Sequence, residues 1–273
     1  MNQWKAAAGR IVLFPATPMF SSPPSAPGLY HSVWGDDPDS FQKQANPLAP
    51  AIAIGKRGDM MAVCSIHPTR VDFSLSPATP SLGETEETEK RSFPLIEDAS
   101  QLCAELLAII GVVSSGAISG QFNRVALNVQ FFALTESLAE ANKALTMVIP
   151  RQHGVKIADE EDFIFQINQP FPSRTADGIK MNSITKWSVD RLQVLTFAVQ
   201  TGGAQGPGLA SAASIMPQQV TFTAASVSFD INNVPAENPL SAANQSSLLR
   251  EALTATAQAQ QEIGLNVEGF QNA

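Results

Sequence analysis

Three histidines, His31, His67 and His153, two cysteines, Cys64 and Cys103, and the acidic run Asp159 to Asp162 are the residues whose types could do chemistry. A zinc site needs converging ligands, and no HxxxH, CxxC or HxE spacing joins any of them, so no metal-ligating residue is assigned. Cys64 and His67 are close enough to suggest a thiolate–imidazolium pair, but residues three apart on one strand point to opposite faces. The glycine-flanked serine of a nucleophile elbow is missing; Ser115 in VSSGAISG comes nearest and reads as a helix end followed by a turn. Gly202, Gly203, Gly206 and Gly208 share only their composition with a phosphate loop, since no Lys-Ser or Lys-Thr follows. Arg57-Gly58-Asp59 reads as a hairpin turn. The run Asp159 to Asp162 could supply a general acid or a magnesium ligand, but adjacent carboxylates before a strand read first as a solvated loop. Asp230, inside SVSFDINNVP, reads as a cap or turn residue. No catalytic residue is assigned from the sequence, and neither a cofactor nor a metal is called for.

The rest of the composition narrows the partners. Of the 273 residues 44% are hydrophobic and the mean hydropathy is +0.01, enough to bury a full core. The net charge of -8 is evenly spread: residues 1–120 carry 8 basic and 12 acidic groups, and residues 121–273 carry 9 and 13. Nucleic-acid binding needs clustered Lys and Arg, and here only Lys56-Arg57 and Lys90-Arg91 are adjacent, so direct DNA or RNA contact is not expected. Lys186 and Arg191 are too few to turn Trp187, Phe165, Phe171, Phe197 and Phe229 into a base-stacking platform, and those aromatics read as packing. The stretch Leu102 to Ile118 is interrupted by Glu105, Gly111, Ser114, Ser115 and Gly116, so no membrane span is expected. The N-terminus lacks the apolar region of a signal peptide, and the two distant cysteines read as buried free thiols, which together place the chain in the cytosol. Charged residues make up only 15%, and a weakly charged surface has little self-repulsion, which suits a homo-oligomer or a larger complex.

These residues must be positioned by a few elements. Residues 1–50 hold 8 of the 19 prolines, with the breaks SSPPSAPG and GDDPD, so residues 1–49 read as a proline-rich extended arm with a short β-prone run from Arg10 to Phe14. The body is expected to begin near Pro50 and to run to residue 265, followed by a tail at 266–273. Ala51 to Ile54 and Met60 to Ile66 read as a hairpin around Gly55-Lys56-Arg57-Gly58, followed by a strand from Val71 to Leu75. Thr79 to Arg91, with Glu84, Glu86, Glu87 and Glu89, reads as a charged loop. Leu95 to Val113 has helical spacing, Phe122 to Leu134 alternates as a strand, and Glu136 to Val148 reads as a helix with Ser137 and Glu140 as a capping box. Phe163 to Asn168, Ile184 to Val199 and Val220 to Ile231 read as a meander, in which Val194 and Thr196 alternate with Leu195, Phe197 and Val199. The linker Gln200 to Gln218 has no core-forming pattern and is expected to be mobile or occupied by a partner. Leu240 to Ile263 closes the chain as a helix capped by Ser241, with Leu249, Ala252, Thr256, Ala259 and Ile263 on one stripe. The fold class is therefore α+β: mostly antiparallel sheet with two internal helices and a long C-terminal helix packed on it. Two sub-domains, 50–120 and 121–265, are one way to divide the body.

From DFIFQINQPF through SITKWSVDRLQVLTFAV and VTFTAASVSFDINN to the final helix, the C-terminal half resembles a SecB-type arrangement, a β-meander followed by a C-terminal helix. The chain also resembles a sporadically distributed family of bacterial proteins in which a strand ends in Asp before a terminal helix. The first resemblance implies an oligomeric, non-catalytic, chaperone-like protein that binds extended polypeptide, and carries over no site residue. The leading expectation is thus a non-enzymatic protein-binding or assembly protein of the bacterial cytosol, such as an accessory of a defence or toxin-antitoxin operon. Its partner would be a protein or further copies of itself. Two alternatives stand beside it: an enzyme whose site gathers His67, His153, the Asp159 to Asp162 run or Asp230 from a distance, and a structural protein of a phage or particle.

Overall fold

The structure is a computed structural model that describes residues 3–19, 24–43, 46, 48–78, 93–118, 120–158, 162–200, 214–265, 267 and 269–270, with side chains omitted at 195–200 and 214–218. The elements in chain order are β1 (Lys5–Pro15), α1 (Ala26–Trp34), β2 (Ser40–Gln42), β3 (Ala51–Arg57), β4 (Met60–His67), β5 (Arg70–Pro77) and α2 (Ala99–Ser114). They continue with β6 (Phe122–Thr135), α3 (Leu138–Val148), a 3-10 turn (Arg151–His153), β7 (Ile164–Asn168), β8 (Phe171–Pro172), β9 (Lys180–Gln200), β10 (Ser214–Asn233) and α4 (Ala242–Glu262). The fold is α+β. All strands join one antiparallel sheet in the order β2-β3-β4-β5-β1-β6-β10-β9-β7, with β8 also on β9. Among the described residues, no helix is long and apolar enough to cross a membrane.

The N-terminal arm departs from the sequence reading. β1 lies inside the sheet, paired with β5 on one side and β6 on the other, and Ile11 and Leu13 are fully buried. The proline run does not prevent a helix because of where it falls. Ser25 caps α1 by accepting from the Gly28 N–H at 3.3 Å, and Pro27 sits in the first turn, where a missing N–H costs nothing. Gly35 closes the helix at φ 76°. Trp34 Nε1 donates to Glu105 Oε2 on α2 at 2.8 Å, and Arg57 at the end of β3 reaches Asp36 Oδ2 at 2.7 Å, which ties the helix down. The body therefore begins at β1 rather than near Pro50. Because β1 links β5 to β6, the stretches 50–120 and 121–265 share one sheet.

The β3–β4 hairpin turns on Gly58-Asp59 alone, since Arg57 pairs with Met60. Gly55 is a strand residue, not a loop residue: the Tyr30 hydroxyl fills the space that a Cβ there would need. At α2, Asp98 is the cap and accepts from the Ser100 N–H at 2.8 Å, so the helix starts later than its apolar spacing suggested. The preceding Ile96 is extended and bridges to Ala6. Ser137 caps α3 as expected, but Glu140 Oε2 accepts from the Glu136 N–H at 3.0 Å, one residue earlier than a regular capping box. Ser241 caps α4, and Leu248, Leu249, Ala252, Leu253 and Thr256 form its buried stripe.

Period-2 alternation gives the sheet two unlike faces. Leu13, Phe73, Cys64, Val129, Phe131 and Phe229 point to the side covered by the four helices and belong to a single core. The other side carries no helix among the described residues. At one end Phe93 and Leu95 cross it over Ala7, Phe132 and Ala224, with the Phe93 ring edge-on to Phe132 and Phe222 at 6.0 and 5.9 Å. Beyond that end the two longest strands continue alone. β6 pairs with β10 only over Thr223 to Asn232, and β7 pairs with β9 only over Ile184 to Ser188, yet β9 and β10 stay paired out to Gln200 and Ser214. Nine residue pairs, Phe222 with Leu192 outward to Ser214 with Gln200, thus form a two-stranded ribbon, about 30 Å long at strand rise. The strand β10 reaches further than the sequence reading, which assigned residues 214–218 to a linker; residues 201–213 lie outside the described residues.

Candidate functional site

Asp72 on β5 is the centre of the helix-free face. Although a carboxylate, it is only 5% exposed, because two guanidiniums cover it. Arg10 on β1 donates from Nη2 to Oδ1 at 2.7 Å, and Arg70 donates from Nε to Oδ2 at 2.8 Å. Strand pairing puts these residues together: Val12 faces Asp72, so Arg10 lies one step along the same face, and Arg70 shares a face with Asp72 two positions away. On β4, His67 Nε2 lies 3.2 Å from Ser65 Oγ and 3.8 Å from Asp72 Oδ2.

Ser65, His67 and Asp72 imitate a nucleophilic triad in composition only. Both contacts fall on the same ring nitrogen, whereas a relay needs Nε2 at the hydroxyl and Nδ1 at the carboxylate. Burial, aided by the Arg70 charge and opposed by that of Asp72, lowers the His67 pKa below the ordinary imidazole value. The ring is neutral at pH 7, and the cluster of two arginines and one aspartate carries one net positive charge. A further cation stands across β1. Arg124 on β6 places its guanidinium 4.8 Å from the centre of the Phe14 ring, and its buried Nε has no hydrogen-bond partner among the described residues.

The rest of this face is a ladder of polar side chains. Gln130 donates to Ser226 at 3.2 Å, Asn182 to Asn232 at 3.3 Å, and Ser188 to Asp190 at 2.9 Å. Asp230 accepts from Asn232 Nδ2 at 2.9 Å, so it is a mid-strand member of this ladder and not the cap or turn residue the sequence suggested.

The other candidate donors are dispersed. Cys64 is fully buried on the helix-covered face, opposite His67, and Cys103 is buried on α2; both are free thiols. His153 lies in the 3-10 turn with its ring 6.0 Å from that of Phe165, and exposed His31 sits 3.2 Å from Asp37. Asp162 makes an exposed ion pair with Arg191 at 3.5 Å, while 159–161 lie outside the described residues, as do 79–92 with their four glutamates. Ser115 caps α2, its hydroxyl donating to the Val112 carbonyl at 2.8 Å. Trp187 and Phe229 are buried in the core, with Phe165 and Phe171 partly buried against it; the side chain of Phe197 lies outside the described set. Among the described residues no group of three or more His, Cys, Asp or Glu is placed so that it could hold a metal ion.

A groove of about 730 Å³ separates α4 from the segment Gln169–Thr175. Glu251 staples its floor, accepting from Ser173 Oγ at 2.6 Å, Thr175 Oγ1 at 2.9 Å and the Arg174 N–H at 2.8 Å. Burial alone would push this carboxyl up, but the hydrogen bonds outweigh it and lower its pKa. With its acceptor sites filled by its own chain, Glu251 holds the β8 segment to α4 rather than offering a free acid.

The Arg10, Arg70, Asp72 and Arg124 cluster escaped the sequence reading because Arg10 and Asp72 are 62 residues apart. One signal was present: RIVLF, RVDFSL and RVALN each begin a β-prone run with an arginine. No protein-family model, curated protein or solved structure matches the chain.

Proposed function

We propose that this chain is a non-enzymatic assembly protein, which joins further copies of itself or a protein partner through the β9–β10 ribbon. The observation that carries this reading is that nine residue pairs of that ribbon extend past the last pairings of β6 and β7. A two-stranded hairpin is marginally stable in water by itself, so a long one is stabilised when another surface covers it. Pro217 in β10 supports the same reading, because a strand flanked on both sides cannot accommodate proline without losing a ladder hydrogen bond. Its pairing partner β9 has no strand on its outer edge beyond Val189 among the described residues, which is the geometry that accepts an added strand.

Static light scattering on the intact chain across a concentration series tests this. A mass that is a small multiple of 29.0 kDa, or a stoichiometric protein partner retained from the native host, supports the proposal. Open-ended growth into large regular particles would instead favour a particle-forming structural protein. A monomer at every concentration that retains no partner would overturn both.

A further inference from the structure

We infer that the helix-free face holds a binding site for a small phosphate-class oxyanion, built by Arg70 and Arg124 on either side of Phe14 and bordered by Arg10. The chain as a whole carries a charge of -8, so a local excess of guanidinium groups on the sheet face that carries no helix among the described residues runs against the average and needs a reason.

The strand register supplies the geometry. Leu13 pairs with Val71 and with Val125, and all three point into the core. The next position, Phe14, pairs with Arg124 on one side and is flanked by Arg70 on the other, on the opposite face of the sheet. Arg70 and Arg124 therefore stand two strands apart, with backbones about 10 Å from each other. That span lets two arginine side chains close on one tetrahedral anion from opposite sides. Asp72 holds Arg70 through Nε alone, and among the described residues neither terminal nitrogen of that guanidinium has a hydrogen-bond partner. The same carboxylate fixes Arg10 through a single Nη2. Arg124 has no acidic partner among the described residues and is held only by its stacking on Phe14. One carboxylate thus orients two guanidiniums without neutralising three. Planar guanidiniums with free paired donors match phosphate oxygens in bidentate fashion, and carboxylate ligands, with two oxygens and a single charge, would use fewer of them. Further along the same face, Asn128 faces Arg10 across the β1–β6 ladder, and Ser65 faces Asp72 across β4–β5.

The test is calorimetric titration of the full chain at low ionic strength with inorganic phosphate and with glycerol 3-phosphate, against acetate as a control. The site predicts saturable binding of both phosphates in one-to-one stoichiometry and much weaker binding of acetate. Arg124→Gln removes a guanidinium that makes no ion pair, so the fold should survive, as circular dichroism would show. This variant should weaken phosphate binding about tenfold or more, and Arg124→Lys, which keeps the charge but not the fork, should fall between. Arg151→Gln, in the 3-10 turn, should bind as the parent does. Absence of saturable phosphate binding, equal binding of acetate, or unchanged affinity in Arg124→Gln would each overturn the inference. None of these results depends on the oligomeric state, so the outcome is separable from the assembly proposal.

Discussion

Gly55 and Tyr30 interlock: the phenol hydroxyl of Tyr30, on α1, occupies the space in which a Cβ at position 55 of β3 would lie. The Tyr30 ring is itself buried against Trp34, with ring centres 4.4 Å apart, so it has nowhere to move. This contact makes the proline-rich N-terminal region part of the core. Gly55→Ala should therefore lower stability by about 1–3 kcal/mol through overpacking. Urea unfolding midpoints check it, and Tyr30→Phe in the same chain should recover part of the loss. Simple addition of the two single losses would mean that the side chains do not compete for one space. By the same argument, residues 26–34 should resist limited proteolysis as long as the sheet does.

The Cys64 thiol links pH to stability. Burial, with a smaller contribution from the Asp72 charge, pushes its pKa from 9.0 up to about 12. Above pH 9 the unfolded chain releases this proton while the folded chain retains it, so the unfolded state binds fewer protons. Stability should then fall as pH rises from about 9 towards 12, by up to about 1.4 kcal/mol per pH unit for this group. Chemical denaturation of the parent and of Cys64→Ala across that range should show a shallower fall in the variant. Parallel curves would contradict the assignment.

Glu251 acts in the opposite direction. Its lowered pKa means that the unfolded state takes up a proton first as pH drops. The staple to Ser173, Arg174 and Thr175 is therefore fully present above the usual carboxylate pKa and is lost as pH falls through the folded value. Glu251→Gln should be less stable than the parent at pH 7, and the gap should close in acid. A gap that stays constant with pH would show that the carboxylate charge is not what holds the β8 segment.

How much was legible beforehand follows from where the signals lay. β6 carried a clear period, and α3 and α4 carried both a clear period and a capping residue; their bounds differ from the sequence reading by one or two residues. β1 was only half seen, because the Ala and Gly of KAAAGRIVLFP have weak strand preference and its pairing partners lie far along the chain. α1 was missed although Ser25, Pro27 and Gly35 form a cap, a first-turn proline and a terminator in the correct order. Proline density suggests extended chain there, but the position of Pro27 in the first turn is what decides. The Arg10–Asp72–Arg70 cluster left only the arginine at the start of each β-prone run as a signal, since only the β4-β5-β1-β6 strand order brings its members together.

Leu249 separates folding from assembly. It is fully buried in the α4 stripe, so Leu249→Ala should cost about 2–5 kcal/mol through lost burial and the cavity left behind. Thermal melts check the cost. At temperatures where the variant remains folded, its mass in solution should equal that of the parent. An unchanged melting temperature with a changed mass would make α4 an interface element.

The assembly reading is tested most directly by cutting the ribbon from nine residue pairs to three. Replacing residues 195–219 with Asn-Gly joins Val194 to Val220 by a short hairpin turn and leaves every pairing of β10 with β6 and of β9 with β7 intact. Sedimentation velocity on the intact chain and on this variant then gives the answer. The account predicts an assembled parent and a folded, monomeric variant; a shortened chain that stays folded and sediments as the same assembly would contradict it.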